Sequence, residues 1–353
     1  MSHIVHASLF AGGLVLGAGG AILLNRNPSS SSNPPPPALP SATSETKSQA
    51  IVQGARTSPL PPPIPGGSAF DSLGPAGYPG PISDLLTHKA YVSSYDRKLR
   101  HPHWTAEHLT AASLVRPPAT PGSEAPNRGN SVFKEDERIP PLFRARLADY
   151  FRSGYDRGHM VPAADAKMSQ EAMDETFFLS NMAPQVGAGM NRDYWAHTED
   201  FVRRLTTKFS DLYVFTIPLY LPRQSTDGKW RVTYEVIGNP PNVAVPTHFA
   251  KVVLGVGASQ PPNSRSLTSS VGLGTGNVMA LGAFVMPNAV IPNEAPLESF
   301  VVPIETVERA AGLTLFPPAI KSSAKKLCET VKCDIVVRDF GEKSKALVQQ
   351  QRK

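Results

Sequence analysis

The pattern of apolar and polar positions divides the chain into a folded body and flanks that cannot build a core. Residues 89–95 alternate and predict a strand. The basic run at 96–100 reads as a turn, and 104–109 as the returning strand of a hairpin. A loop is expected at 117–129. Residues 156–160 should end a strand, and 168–173 should form a short helix. Phe177, Phe178 and Leu179 form a core run. The clearest helix covers 191–205, with Tyr194, Phe201, Val202 and Leu205 on its buried face. The apolar, β-branched run 212–217 predicts a buried strand. Asp227-Gly228 is a strong hairpin turn leading into a strand over 230–236. A strand pair is expected over 242–256 and a core strand at 278–286. Residues 297–313 read as helical, with Val301 and Val302 at the entry and Gly312 closing it. There are no internal repeats.

The flanks are different in kind. Residues 7–24 are uncharged, apolar and Gly-rich, at the short end of what spans a bilayer. A membrane anchor, a cleaved mitochondrial address and a secretory signal all fit parts of this run, and its residues leave the three open. Residues 27–67 are rich in Ser and Pro and read as a spacer. Residues 261–275 read as an inserted surface loop and 342–353 as a charged tail. The expected organisation is therefore an N-terminal segment at 1–26, a linker at 27–67, one folded domain at 68–341 and the tail.

Composition narrows the partners only a little. The 353-residue chain carries 35 Lys and Arg against 29 Asp and Glu, a net charge of +6. That excess suits a polyanion without requiring one. The only two cysteines, Cys328 and Cys333, make neither a disulfide framework nor a zinc site. They are expected to be structural or surface thiols, with a local disulfide as the lesser alternative.

The chemistry concentrates between positions 156 and 203. Asp156-Arg157-Gly158-His159 comes first, then Asn181 within Ser180-Asn181-Met182-Ala183-Pro184-Gln185, then Asn191, Glu199 and Arg203. Hydrolysis of a phosphodiester needs a group that takes a proton from water. His159 is the evident base, because imidazole titrates near neutrality. Gly158 is expected to give the backbone freedom that turns the His159 ring into a cleft. Mg²⁺ is the usual hard ion for phosphate oxygens, and one amide oxygen such as that of Asn191 can hold it. Arg203 can supply charge to the phosphate. Asn191, Trp195, Glu199 and Arg203 recur every fourth residue, so they form a slowly drifting stripe on one helix. Blander roles exist for each. Asn181 and Asn191 could be turn or cap residues, Glu199 a solvated carboxylate or the partner of Arg203, and Arg157 the partner of Asp156. Arg144 and Arg146 could face phosphate or solvent.

These ordered motifs, together with 230–251 and 283–302, resemble the ββα-metal family of DNA/RNA non-specific nucleases, and within it the mitochondrial branch. The likeness runs over roughly 67–337. It implies an α+β fold: a central antiparallel sheet flanked by helices, with a ββα-metal element at one edge. It implies Mg²⁺-dependent cleavage of DNA and RNA, Mn²⁺ being a substitute ion. His159 is then the base and Asn191 the metal ligand. Glu199 orients metal-bound water or the His159 side, Arg157 and Arg203 act on phosphate, and Asn181 positions the site. A further arginine is implied across the cleft, for which Arg128 is nearest. The resemblance also implies a mitochondrial setting (inner membrane or intermembrane space), attachment through the N-terminal run, and a homodimer. Two departures stand out. The 181–191 interval is one residue longer than in several relatives, with a Gly pair to absorb it, and Thr216-Ile217-Pro218 replaces Thr-Gly-Pro. Two readings compete with a nuclease: a basic nucleic-acid-binding protein with a vestigial site, and a hydrolase acting on a phospholipid.

Overall fold

The computed structural model describes residues 84–122, 124–257 and 278–338. The segments 1–26 and 27–67, the loop at 261–275 and the tail at 342–353 lie outside the described residues, as does the start of the folded domain.

The hydrophobic alternation produces one large sheet. Strands β1 (Asp84–Thr87), β2 (Tyr91–Asp96) and β3 (His101–Leu109) form an antiparallel meander. Further along come α1 (Leu147–Tyr150), β4 (Asp156–His159), α2 (Gln170–Glu175), β5 (Met182–Gln185) and α3 (Tyr194–Arg204). Strand β6 (Asp211–Leu219) then pairs with β3. Two short ladders follow, β7 (Arg223–Gln224) with β8 (Trp230–Arg231), and β9 (Val236–Ile237) with β10 (Val243–Ala244). The long strands β11 (His248–Val256) and β12 (Met279–Pro287) complete the centre. The edge is closed by β13 (Val301–Val302), helices α4 (Ile304–Ala311) and α5 (Pro318–Ser323), β14 (Lys325–Lys326) and α6 (Leu327–Thr330). The sheet order is β1-β2-β3-β6-β11-β12-β13, with β14 parallel to β12.

Period-two alternation gives this sheet two buried faces. Leu212 and Val214 of β6, Phe249 and Val253 of β11 and Phe284 of β12 pack under Tyr194, Trp195, Phe201 and Val202 of α3 and Leu205 just after it. The alternate residues Tyr213, Phe215, Ile217, Val252 and Leu254 pack on the other side against Ile304 and Val307 of α4 and Phe316. The α+β architecture is thus as expected, with helices on both sides. No helix among the described residues is long and apolar enough to cross a membrane.

Several local expectations change. Residues 297–313 are not one helix: a short 3₁₀ turn, Leu297–Phe300, passes into β13, and α4 starts only after Pro303. A Pro has no N–H to continue a helix and sits well at its start. Gly312 does close α4, in the left-handed region at φ 69°. The 230–236 strand is reduced to the exposed β8 and the start of β9, and β10 and β11 do not pair with each other. The β4–β5 pair is a separate ladder beside β3, and does not extend the edge of the sheet. Cys328 and Cys333 are joined in a disulfide, against the expectation of free thiols.

Candidate active site

The site grows out of the β4–β5 ladder, in which Asp156 faces Gln185, Gly158 faces Ala183 and His159 faces Met182. Gly158 is needed here for space. Its φ is not in the left-handed region, but a Cβ at this position would overlap the Gln185 side chain. The expected role in turning the chain is therefore corrected to a steric one.

His159 sits at the end of β4, only 8% exposed. Phe177 meets its ring edge-on at 4.8 Å and Phe133 lies at 5.6 Å. Its Nε2 has no hydrogen-bond partner among the described residues. Burial, then the charges of Arg128 and Arg157, lowers its pKa to about 3. The ring is neutral at physiological pH and has an open acceptor.

Arg157 lies 4.2 Å over the Phe133 ring. It does not pair with Asp156 as the blander reading had it; Asp156 accepts from Arg192 and, at 2.9 Å, from the Asn191 amide nitrogen. Arg128, which the sequence left unassigned, stacks over Phe177 at 5.6 Å. The ring that packs against His159 therefore also carries Arg128. Two rings, of Phe133 and Phe177, and two guanidiniums, of Arg128 and Arg157, thus lie about the imidazole.

Asn181 has another kind of role. It is fully buried, and its amide oxygen accepts from the Val161 N–H at 3.1 Å. Its amide nitrogen donates to the carbonyls of Val161 at 2.9 Å and Thr176 at 2.8 Å. Its own carbonyl receives the Met160 N–H. The fully buried side chain is tied to the backbone just after His159 and to the Thr176 carbonyl.

Between β5 and α3 the chain makes a wide turn. The N–H of Asn191 reaches the Val186 carbonyl at 2.9 Å and that of Arg192 reaches Gly187 at 3.1 Å, each spanning five residues. Such π-type turns accommodate one extra residue and cluster at functional sites. Gly189, at φ +79° and close to Val290, permits this one. The turn places Asn191 just before α3 and next to Asp156.

That contact bears on metal binding. With its nitrogen committed to Asp156, the Asn191 amide keeps its oxygen, a hard ligand, as the end available to a cation. Among the described residues there is no cluster of three or more His, Cys, Asp and Glu side chains able to hold a metal. A cation here would keep most of its water, which suits Mg²⁺ better than Zn²⁺.

Further along α3, Arg203 donates to Asp165 at 2.9 Å, and both are largely buried. Glu199 is partly exposed, and loss of solvation pushes its carboxyl up to about 7 against the pull of Lys251 and Arg203. Trp195, part of the same stripe, turns into the core. The arginines that were only nearby separate out: Arg144 is spent on the carbonyls of Ile139 and Glu137.

Known proteins share the sequence and the fold of this chain. The sequence model of the DNA/RNA non-specific endonuclease family matches residues 72–321. The chain is 51% identical to the mitochondrial nuclease of Saccharomyces cerevisiae over 265 residues, 75% of each chain. It is 43% identical to the mitochondrial nuclease 1 of Schizosaccharomyces pombe over 323 residues, 87% of this chain and 94% of that one. Among solved structures, the EndoG/EndoGI complex aligns with a TM-score of 0.60 at 46% identity, covering 70% of this chain and 89% of that chain. The chain belongs to the DNA/RNA non-specific endonuclease family.

Proposed function

We propose that the chain is a mitochondrial, metal-dependent endonuclease that hydrolyses DNA and RNA, with His159 as general base and Mg²⁺ held through Asn191. Membership of the family makes it a nucleic-acid-hydrolysing enzyme; the individual roles are inferred from the site. The observation that carries them is the buried, neutral His159 with an unpartnered Nε2 among Arg128, Arg157 and the ring pair Phe133–Phe177.

The chemistry follows from that arrangement. A diester phosphate brings negative charge beside Arg128 and Arg157, whose charges act on His159 and which can hold the phosphate oxygens, with Arg203 a further cation beside Glu199. Burial does most to keep a proton off His159 and the two arginine charges add to it; the bound anion offsets those charges and so raises the basicity of the ring once substrate is present. Nε2 then takes a proton from water as the water oxygen bonds to phosphorus and the bond to the 3′-oxygen breaks. Bound Mg²⁺ supplies positive charge for the phosphate and the departing oxygen. Asp156 holds the Asn191 amide in place for that ion, and Asn181 holds the backbone that follows His159. Contacts of this kind fall on phosphates and ignore base identity, which supports tolerance of sequence and sugar.

The mitochondrial setting is carried over from relatives that bear that description. Attachment to the inner membrane through residues 7–24 and a homodimeric state complete the proposal; fractionation and sedimentation would test them. For the chemistry, plasmid and RNA should both be digested with Mg²⁺ and neither with EDTA. Asn191→Ala should raise the Mg²⁺ concentration needed for half-maximal rate. An unchanged titration curve would remove Asn191 as ligand, and activity in EDTA would remove the metal.

A further inference from the structure

The sheet beneath α3 carries a feature that the hydrolytic site does not by itself require. Ser93 of β2 faces Thr105 of β3, Thr105 faces Thr216 of β6, and Thr216 faces Lys251 of β11. Four polar residues thus lie in register across four neighbouring strands. By alternation they share the α3 side of the sheet with Val214, Phe249 and Val253. All four are at most 1% exposed. Glu107 lies on the same side, two residues along β3, and is as deeply buried.

A buried polar row costs stability unless its groups are satisfied. Lys251 donates to the Thr216 hydroxyl at 2.9 Å, and its ammonium sits 4.9 Å over the Trp195 ring. Ser93, Thr105, both oxygens of Glu107 and the Trp195 indole N–H have no hydrogen-bond partner among the described residues. Nothing in the packing of the sheet calls for charge here. What lies above does: α3 presents Trp195, Glu199 and Arg203 on one stripe, and Trp195 touches Lys251 directly.

The charges that act on Glu199 come from every element around it. Lys251 rises from β11, Arg203 neighbours it on α3, Asp165 comes from the loop after β4, and Arg128 reaches in from the rim. Glu107 on β3 interacts with the same Asp165, Lys251, Glu199 and Arg203. Arg203 is already committed to Asp165. Lys251 and Arg203 thus face two carboxyls, Glu199 and Glu107, and Arg128 acts on Glu199 as well. Glu107 is the one to hold a proton, because it is fully buried, and burial pushes it well above the ordinary carboxylate range, whereas Glu199 is partly exposed.

We propose that Lys251 is a positioning residue for hydrolysis: from the sheet beneath α3 it provides a counter-charge that favours the carboxylate form of Glu199, while Glu107 stays neutral. The proposal rests on the nuclease reading for its catalytic meaning, but the charge relation is separable from it. Charge delivered through the sheet leaves the cleft side of Glu199 free for the reaction, and the Trp195 ring keeps water from the ammonium. The row Ser93-Thr105-Thr216 gives the ammonium and the Glu107 acid polar neighbours in an otherwise apolar layer.

The test is a ¹³C NMR titration of the Glu199 side-chain carboxyl in the full chain, without metal, with the resonance assigned through Glu199→Gln. In Lys251→Met the Glu199 midpoint should rise by about one pH unit or more, the effect of removing a close opposite charge. The acid limb of the kcat/KM profile should move up with it, while KM for a short duplex stays within about two-fold. Lys251→Arg should restore both midpoints. Glu107→Gln, which mimics a neutral acid, should leave the Glu199 midpoint where it is. An unmoved midpoint in Lys251→Met overturns the proposal. So does a Glu107→Gln midpoint lowered by about one unit or more, because Glu107 would then be the anion that Lys251 neutralises. Should Lys251→Met not fold, the Glu107→Gln titration decides alone. A wild-type chain that does not cleave nucleic acid would defeat the nuclease reading, and the titration would still decide the charge relation.

Discussion

The two faces of the central sheet are buried to the same degree and built differently. On the α4 side, Trp104, Phe215, Ile217, Val252 and Leu254 meet Ile304, Val307 and Phe316. On the α3 side, equally buried positions of the same strands are Thr105, Glu107, Thr216 and Lys251. Apolar burial on the first face contributes roughly 25 cal/mol per Å² and asks nothing of neighbours beyond fit. Charges on the second lose hydration and need partners, so a plain apolar repacking would often be as stable or more so. The difference teaches that burial marks stability on one side of a strand and chemistry on the other, and only the partner layer distinguishes them.

If that division holds, substitutions on the two faces should fail in different ways. The largest effect belongs to the site. His159→Ala should lower the cleavage rate by roughly 10²–10⁴-fold, with duplex binding in EDTA and the urea midpoint largely kept; near-normal digestion would end the base assignment. On the opposite face, Phe215→Ala should cost about 3–5 kcal/mol in urea unfolding, yet leave kcat of the folded protein unchanged. A Phe215→Ala protein that stays stable but loses turnover would show that the faces are not separable.

A third effect is smaller and runs with pH. His88, His101 and His159 are buried, and burial lowers them from 6.5 to about 3, about 4 and about 3. Arg138 adds to the lowering at His88, and Arg128 and Arg157 at His159; the Pro102 carbonyl opposes it at His101. In the unfolded chain these rings take a proton that the folded chain refuses. Their contribution is complete above pH 6.5 and is lost as pH falls toward 3–4. Each costs up to about 1.4 kcal/mol per pH unit in that window. Urea midpoints between pH 7.5 and pH 5 should therefore fall, and less steeply in His159→Gln. A flat profile would mean that the rings are not held neutral. The smallest effect sharpens the comparison from outside: Arg231→Ala removes an exposed pair with Asp227, and should move neither the urea midpoint nor kcat. A loss of activity there would extend the working surface well beyond the α3 face.

Part of this could be read from the residues alone. The order Asp156–His159, Asn181, Asn191, Glu199, Arg203 pointed to one candidate region; alternation found β2, a hairpin return found β3, and apolar runs found β6 and β12. The helix stripe separated Tyr194, Phe201 and Val202 from Glu199 and Arg203, although Trp195 turned inward with the core. Pro303 was a visible stop signal that the apolar pattern of 297–313 overrode. The purpose of Gly158 was not legible, because the Gln185 side chain that excludes a Cβ lies 27 residues away in sequence and arrives only by pairing with β5.

Sequence by itself determined which chemistry was available: which side chains can take a proton, hold a hard cation or meet a phosphate, and which stretches alternate with period two or recur on a helix. Those properties are local, and residue type and spacing are enough to carry them. Tertiary structure alone decided the partners. Asp156 was given to Asn191 and Arg192, the Asn181 amide was spent on backbone, Arg128 was brought to the ring beside His159, and Lys251 was set in register with Thr216 under α3. Each depends on strand register or on a contact between distant segments, and register follows from the packing of whole faces rather than from any short run of residues.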